Sequence, residues 1–235
     1  KIKSVNTLKI KQFLKQGGIP IIAGFQGIDK NERITTLGRG GSDYSAIVLA
    51  KYLKAIKCII YTDVIGVMTT DPKIYKRARK IRVISYEEML EMSSLGSKVM
   101  QSNSVQDARL NRIDVNVKSS FVKNVGTLIT KRKNIIDHKV ITGISVTKND
   151  AKITIVGVVD RPGVAASIFK PLSVNNINVD MVVQNISADG HKTDITFTIN
   201  SKDLNKTQKL IKHNKGLKFK KVIFDQRVSK VSIIG

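Results

Sequence analysis

Disulfides are the first thing this chain cannot have. Cys58 is its only cysteine, set in the apolar run CIIY, so it has neither a disulfide framework nor a CxxC pair, and the thiol reads as a small hydrophobe in a buried strand. Long apolar runs are missing too: no stretch approaches the ~18 to 20 residues needed to cross a bilayer. The opening KIKSVNTLKI lacks the apolar core of a secretory signal, and a soluble protein of the reducing cytoplasm is expected. The three histidines, His138, His191 and His213, are far apart and have no cysteine or second histidine at ligand spacing, which argues against a metal cage. There is no GxSxG elbow, no Walker sequence and no GxGxxG fingerprint. Acidic residues are scarce, 18 against 41 basic ones, giving a formal charge of +23. Nucleic acid is the usual suspect at such a charge. Here the lysines are spread through every segment, the tight clusters are only KRARK at 76 to 80 and KRK at 131 to 133, and GRGG at 38 to 41 occurs once. A solvated lysine-rich surface accounts for the charge, and no nucleic-acid or membrane partner is expected.

What is present suits one large or two small domains: 235 residues, 41% of them hydrophobic. Residues 5 to 16 form a weak helical pattern ended by Gly17 and Gly18. IPIIAGF at 19 to 25 reads as a buried strand, and ITTLG at 34 to 38 points back toward the core. GRGGSD then leads into the amphipathic helix SAIVLAKYLKA at 45 to 55, with Ser42 or Asp43 as its cap, and CIIYTD at 58 to 63 is a strand whose polar residues arrive only at its C-terminal end. Strand, glycine-rich turn, helix, strand is the order of an α/β sheet with helices on its faces. YEEMLEMSSLG at 86 to 96 and SVQDARLNR at 104 to 112 read as helices, with Met89, Leu90 and Met92 as core. IDVNVKSS at 113 to 120 reads as a strand, and GTLIT closes this part near residue 130. The aperiodic, charged KRKNIIDHK at 131 to 139 is the best boundary.

Beyond it the rhythm changes. Strands are expected at 151 to 158, 177 to 186, 193 to 199 and 219 to 224, with helices at 160 to 176 and 201 to 213, where Pro171 should kink or shorten the first. The sum, βαββαβ, is ferredoxin-like. KITIVG at 152 to 157 returns as KVSIIG at 230 to 235. The second copy either opens a further domain or adds an edge strand to the existing sheet.

Chemistry concentrates in two places in the first part. Gly40 and Gly41 leave backbone amides unobstructed, Ser42 and Asp43 stand at a helix start that attracts anions, and Arg39 offers a bidentate grip to a carboxylate or phosphate. YTDVIGVMTTDPK at 61 to 73 puts hydroxyls, Asp63 and Asp71 beyond a buried strand with Lys73 beside them, and Lys98 can add positive charge if the fold returns it there. One shared ligand site explains two polar clusters after two strands better than two independent turns do. In the second part, Asp160 can receive an α-ammonium group, and the Pro162 and Gly163 turn with the amides opening the next helix at Val164 and Ala165 can receive an α-carboxylate. Asn178, Asp180 and Gln184 alternate along the following strand. Alternatively Asp160 caps its turn and those polar side chains face solvent or a dimer partner.

TTLGRGGSD (35 to 43), YTDVIGVMTTDP (61 to 72), SYEEMLEMSSLGSKV (85 to 99), ITIVGVVDRPGVAASIF (153 to 169) and INVDMVVQNIS (177 to 187), in this order and spacing, resemble the aspartokinases of the amino acid kinase superfamily over essentially the full length. The resemblance implies an incomplete amino acid kinase-like α/β sheet sandwich at 1 to 133, a ferredoxin-like ACT regulatory domain at 134 to 227, and the first strand of a second ACT domain at 228 to 235. It implies transfer of the γ-phosphoryl group of ATP, with Mg2+, to the β-carboxylate of L-aspartate for lysine, threonine and methionine synthesis. By that likeness Arg39 binds the aspartate carboxylate and Ser42 and Asp43 order substrate and catalytic lysine. Gly40 and Gly41 face phosphate, and Thr62, Asp63, Lys73 and Lys98 lie on the nucleotide side. Met68 stands where many relatives have an aromatic residue near the nucleotide. An effector site at 160 to 186 for lysine or threonine, and a homo-oligomer through ACT domains, are also implied. Aspartokinases carry a Lys-Phe-Gly-Gly run whose lysine contacts the transferring phosphate; this sequence has none, so the 235 residues alone are expected to have little activity. The alternative is a regulatory or assembly subunit.

Overall fold

The computed structural model describes residues 2–97, 99–132, 135, 140–186, 192–214 and 216–235. They fall into two compact units, one running up to Val146 and including Val231–Gly235, the other Thr147–Lys230. In the first unit, β3 (Cys58–Thr62), β4 (Val83–Ser85), β5 (Val115–Ser119) and β6 (Thr127–Thr130) form a sheet of order β3-β5-β6-β4. β3 and β5 are parallel, β5 and β6 antiparallel. Helices α2 (Gly41–Leu53), α3 (Tyr86–Ser94) and α4 (Ser102–Asn111) complete it. Cys58, Ile60, Val115 and Val117 alternate inward and meet Ile47, Met89, Met92 and Val105 in one core. The methionines expected to be core are core.

Ser85 starts α3 through a capping box: its hydroxyl accepts the Glu88 amide at 3.1 Å while Glu88 accepts the Ser85 amide at 2.9 Å. The hydroxyl of Thr142 also donates to Glu88. Burial pushes the Glu88 carboxyl up, but the hydrogen bonds from the Ser85 and Thr142 side chains and the Ser85 amide, with the Arg132 charge, outweigh it and hold the group below its ordinary range. Its folded-state pKa therefore lies under the unfolded one, so the carboxylate stabilises the fold above the unfolded value and that contribution is lost as pH falls through the folded pKa. Glu88→Gln is expected to destabilise at neutral pH by about 1 kcal/mol. Urea titrations should show the gap from wild type closing as the pH falls below the ordinary carboxylate range; a gap constant with pH would exclude the carboxylate as its source.

Residues 19 to 25 depart from expectation. They form no strand, and Ile19 and Ile21 are 86% and 98% exposed. An apolar run becomes a strand only where a neighbour completes its ladder, and none among the described residues does. The strands here are instead β1 (Gln26–Ile28) and β2 (Ile34–Thr36), an antiparallel ribbon, and residues 34 to 36 are exposed rather than turned to the core. The early helix is α1 (Leu8–Lys15), which buries no residue.

The second unit is built from β7 (Gly143–Val159), α5 (Val164–Val174), β8 (Val179–Ile186), β9 (Lys192–Asn200), α6 (Leu204–Lys212) and β10 (Lys221–Ile234), with the first residues of β7 and the last of β10 counted in the first unit; they give the βαββαβ order with sheet order β10-β7-β9-β8, the ferredoxin-like arrangement. Its core joins Ile153, Ile155, Ile195 and Phe197 to Ile168, Leu172, Leu204 and Ile211 of the helices. Pro171 neither ends nor shortens α5, which runs three residues past it. A proline leaves the carbonyl four residues back without its helical donor; the Asn214 side chain donates to that carbonyl, Ser167 O, at 2.9 Å. Residues 228 to 234 continue β10 without a break. Ile234 is buried in the first unit's core and its carbonyl accepts the Thr142 amide at 2.7 Å.

Candidate active site and effector turn

Only three residues separate the C-cap of α2, Lys54, from the start of β3. That short link holds the end of α2 beside the start of β3, so the N-terminus of α2 lies toward the C-terminal end of β3. Arg39, Gly40, Gly41, Ser42 and Asp43 are thereby brought to the same end of the sheet as Thr62 and Asp63, the usual crevice of an α/β sheet. Ser42 or Asp43 was expected as the cap, and this is corrected: both lie inside the first turn, and the N-cap is Gly40, with φ +72° and no side-chain cap bond. The Gly41 amide is taken by Gly38 O at 3.0 Å, and no side chain caps the amides that follow it.

The turn before the helix is held firmly. Ser45 donates its hydroxyl to Gly41 O at 2.6 Å and accepts the Phe25 amide at 2.9 Å, and the Leu37 amide reaches Phe25 O at 2.9 Å. Gly40 and Gly41 are required sterically. A Cβ on Gly41 would lie 2.9 Å from both Leu37 and Phe25, and one on Gly40 2.1 Å from Gln101 Cγ. Gly40→Ala, which adds left-handed strain to that clash, is expected to cost about 2 to 3 kcal/mol. Thermal unfolding measures this; an unchanged melting temperature would contradict the geometry.

Burial raises the pKa of Asp43, and no ion pair among the described residues offsets it. A half-buried carboxylate of this kind is ready for a cation delivered with a ligand. Burial, with the Asp43 charge adding to it, pushes the Cys58 thiol up to about 11, so this buried cysteine is a core residue and not a nucleophile. Thr62 donates to Asp63 Oδ1 at 3.0 Å. Beyond β3 the chain returns on itself: Thr69 N reaches Arg79 O at 2.8 Å, Ile81 N reaches Val67 O at 2.8 Å, and Met68 bridges Lys80. Asp71 accepts the Lys73 amide at 2.8 Å, leaving the Lys73 side chain exposed on the loop. Lys98 lies outside the described residues. Ser119 and Ser120, which the sequence reading passed over, stand at the C-terminal end of β5 beside Thr62, whose carbonyl accepts the Ser120 amide at 2.8 Å. Polar residues closing IDVNVKSS were the available signal, the same one used for CIIYTD. Among the described residues no group of three or more acidic, His or Cys side chains could hold a metal ion, and no helix is long and apolar enough to cross a membrane.

The effector residues do not form one wall. Gly163 is the N-cap of α5 at φ +87°, and Asp160 makes no cap bond to the helix. Asp160, Pro162 and Ala165 are exposed, whereas the Val164 side chain is buried in the core. In the sheet, Val179 is level with Ile199 and Ala151, and Ile186 with Thr193 and Val158. Asn178 and Asp180 therefore lie roughly 20 Å along the sheet from the Asp160 turn, while Gln184 is at the near end. A bulge between Val179 and Val182 also inserts a residue and breaks the alternation expected of Asn178, Asp180 and Gln184. Asp180 is ion-paired with Lys230.

A glycine-opened helix beside a polar strand end in an α/β unit, followed by a ferredoxin-like unit, is the arrangement these residues form. Residues 1–119 match the amino acid kinase family and residues 153–214 match an ACT domain. The whole chain is 45% identical to an aspartate kinase of Pseudomonas putida and 44% identical to an aspartokinase of Helicobacter pylori, spanning 57% and 58% of their lengths. Escherichia coli aspartokinase III, solved with lysine and aspartate, superposes with a TM-score of 0.77 at 30% identity, over 97% of this chain and 51% of that one. The aspartate kinase of Clostridium acetobutylicum gives 0.84 at 25% identity over 97% and 52%. The chain belongs to the amino acid kinase family, among its aspartokinases.

Proposed function

We propose that this chain is the substrate-binding part of an aspartate kinase, acting on ATP with Mg2+ and L-aspartate to give ADP and 4-phospho-L-aspartate, joined to an ACT domain that senses an amino acid. The observation that carries the reading is the uncapped, glycine-opened N-terminus of α2 with Arg39 beside it, at the crevice end of β3. A carboxylate with pKa ~3.9 is already ionised at neutral pH, so the site needs no strong base. Its task is to hold two anions together and neutralise the charge on the transferred group. Arg39 grips a substrate carboxylate, the α2 amides receive phosphoryl oxygens, and Asp43 orders a cationic partner. Thr62, Asp63, Met68, Lys73 and Lys98 are assigned to the nucleotide side, with Mg2+ arriving on the phosphates.

The domains are taken as 1 to 133 for the kinase part and 134 to 227 for the ACT domain, with 228 to 235 opening a second. In the ACT domain the effector contact is narrowed to the Asp160, Pro162 and Gly163 turn, with Gln184 at the same end of the sheet. Lysine is the leading ligand because aspartokinase III was solved with lysine; threonine is the second, and assembly runs through ACT domains. The sequence contains no Lys-Phe-Gly-Gly run, so full activity requires a phosphate-contacting lysine from outside these residues. The test is ATP-dependent aspartyl phosphate formation trapped with hydroxylamine, on this chain and on an enzyme carrying it. Turnover by the enzyme with little by the chain fits the reading. Robust turnover by the chain removes the need for the outside lysine, and activity regained only with an intact kinase partner marks a regulatory subunit.

A further inference from the structure

Gln101 is the residue on which the geometry of the α2 site closes, and no motif marks it. It is the N-cap of α4, in extended conformation at φ −81° and ψ 141°, yet its side chain makes no cap bond to its own helix. The backbone does that work instead, the Gln101 carbonyl accepting the Ser104 and Val105 amides at 3.0 and 3.2 Å. The side chain lies against the backbone of Gly40: Cβ, Cγ and Cδ stand 2.8, 2.1 and 3.4 Å from the position a Cβ on Gly40 would take. Because Gly40 is the N-cap of α2, the Gln101 side chain lies at the start of that helix, where the Gly41 amide is taken by Gly38 O at 3.0 Å and no side chain caps the amides that follow. A glutamine there combines an apolar stem that seals the glycine backbone with a neutral amide whose N–H groups can donate to an anion. A carboxylate in its place would repel the same anion.

We propose that Gln101 is a ligand-binding residue of this site, donating its side-chain amide to an anionic oxygen held at the N-terminus of α2, whether of the amino acid carboxylate or of the nucleotide phosphate. The inference rests on the aspartate-kinase reading of that site. Its test separates the two. L-aspartate and Mg-ADP are titrated separately into wild type, Arg39→Ala, Gln101→Met and Gln101→Glu, each confirmed folded by its melting curve. Gln101→Met keeps the stem and removes the amide, and is expected to weaken binding of one ligand about tenfold. Gln101→Glu should weaken the same ligand about 100-fold or more, and that ligand identifies the oxygen. In wild type the Gln101 side-chain amide resonance, assigned by its loss in Gln101→Met, should shift on adding it; a purely structural glutamine would not move. If Arg39→Ala loses aspartate binding while both Gln101 variants bind like wild type, the Gln101 proposal is overturned and the site reading stands. If wild type binds neither ligand, or Arg39→Ala binds aspartate unchanged, the site reading itself fails and the proposal with it.

Discussion

Replacing Arg39 by alanine in an enzyme carrying this chain is expected to lower kcat/KM for L-aspartate on the order of 10²- to 10³-fold while leaving stability within about 0.5 kcal/mol. The two halves of that expectation have separate grounds. Arg39 is exposed and makes no ion pair among the described residues, so the fold does not depend on it. It precedes the glycine N-cap of α2, where a guanidinium can supply two parallel donors to one carboxylate beside the helix amides. Arg39→Lys should recover only a small part of the loss, because an ammonium is a point charge without the planar fork. Steady-state kinetics with aspartate varied at saturating ATP, paired with a melting curve, provide the measurement. Near-wild-type kcat/KM in Arg39→Ala would remove Arg39 from the site. A large fall in melting temperature would instead give it a structural role the exposed side chain does not suggest.

The largest stability effect is expected from Phe197→Ala in the second unit. Phe197 is fully buried on β9, and its ring meets Phe169 of α5 edge-on at 5.3 Å and 78°. Truncation removes the ring's burial and its edge contact and leaves a cavity that helix and sheet cannot close fully, a loss of about 3 to 5 kcal/mol. A domain whose whole stability is on the order of 5 to 15 kcal/mol would be brought near unfolding. The chain has no tryptophan and its five tyrosines all lie in the first unit, so optical probes report on the wrong part. Native-state hydrogen exchange at Ile153, Ile155 and Ile195 is the suitable readout, with protection expected to fall at least 100-fold. Protection lost equally at Val115 and Val117 would show that the two units unfold as one.

Much of this was legible in the sequence because it depends on local periodicity. CIIYT and VNVKS alternate, the 86 to 96 segment spaces its methionines for a buried helix face, and the second unit's strands and helices follow one another in βαββαβ order, although β7 starts well before its expected 151 and β10 runs well past its expected 224. The glycines before α2 were legible for the same reason, since only glycine leaves that backbone bare. What the sequence could not decide was everything that needs a second segment. Residues 19 to 25 are apolar enough for a strand, but a strand exists only where another strand completes its hydrogen bonds, and pattern alone carries no partner. The β8 bulge is invisible in INVDMVVQNI because an inserted residue changes register against β9, not composition, and it is register that separates Asn178 and Asp180 from the turn at Asp160. Pro171 warned of a kinked or shortened helix because its own segment shows only a missing donor; Asn214, 43 positions away, supplies it. Gln101 follows the same rule. Its residue type and neighbours gave no hint of a ligand, and only the packing of α4 against α2 lays its side chain on Gly40. Sequence determined most of the elements and the family, through short-range sterics and hydrophobic spacing; tertiary structure decided which side chains meet, because distance between segments is set by strand order and register.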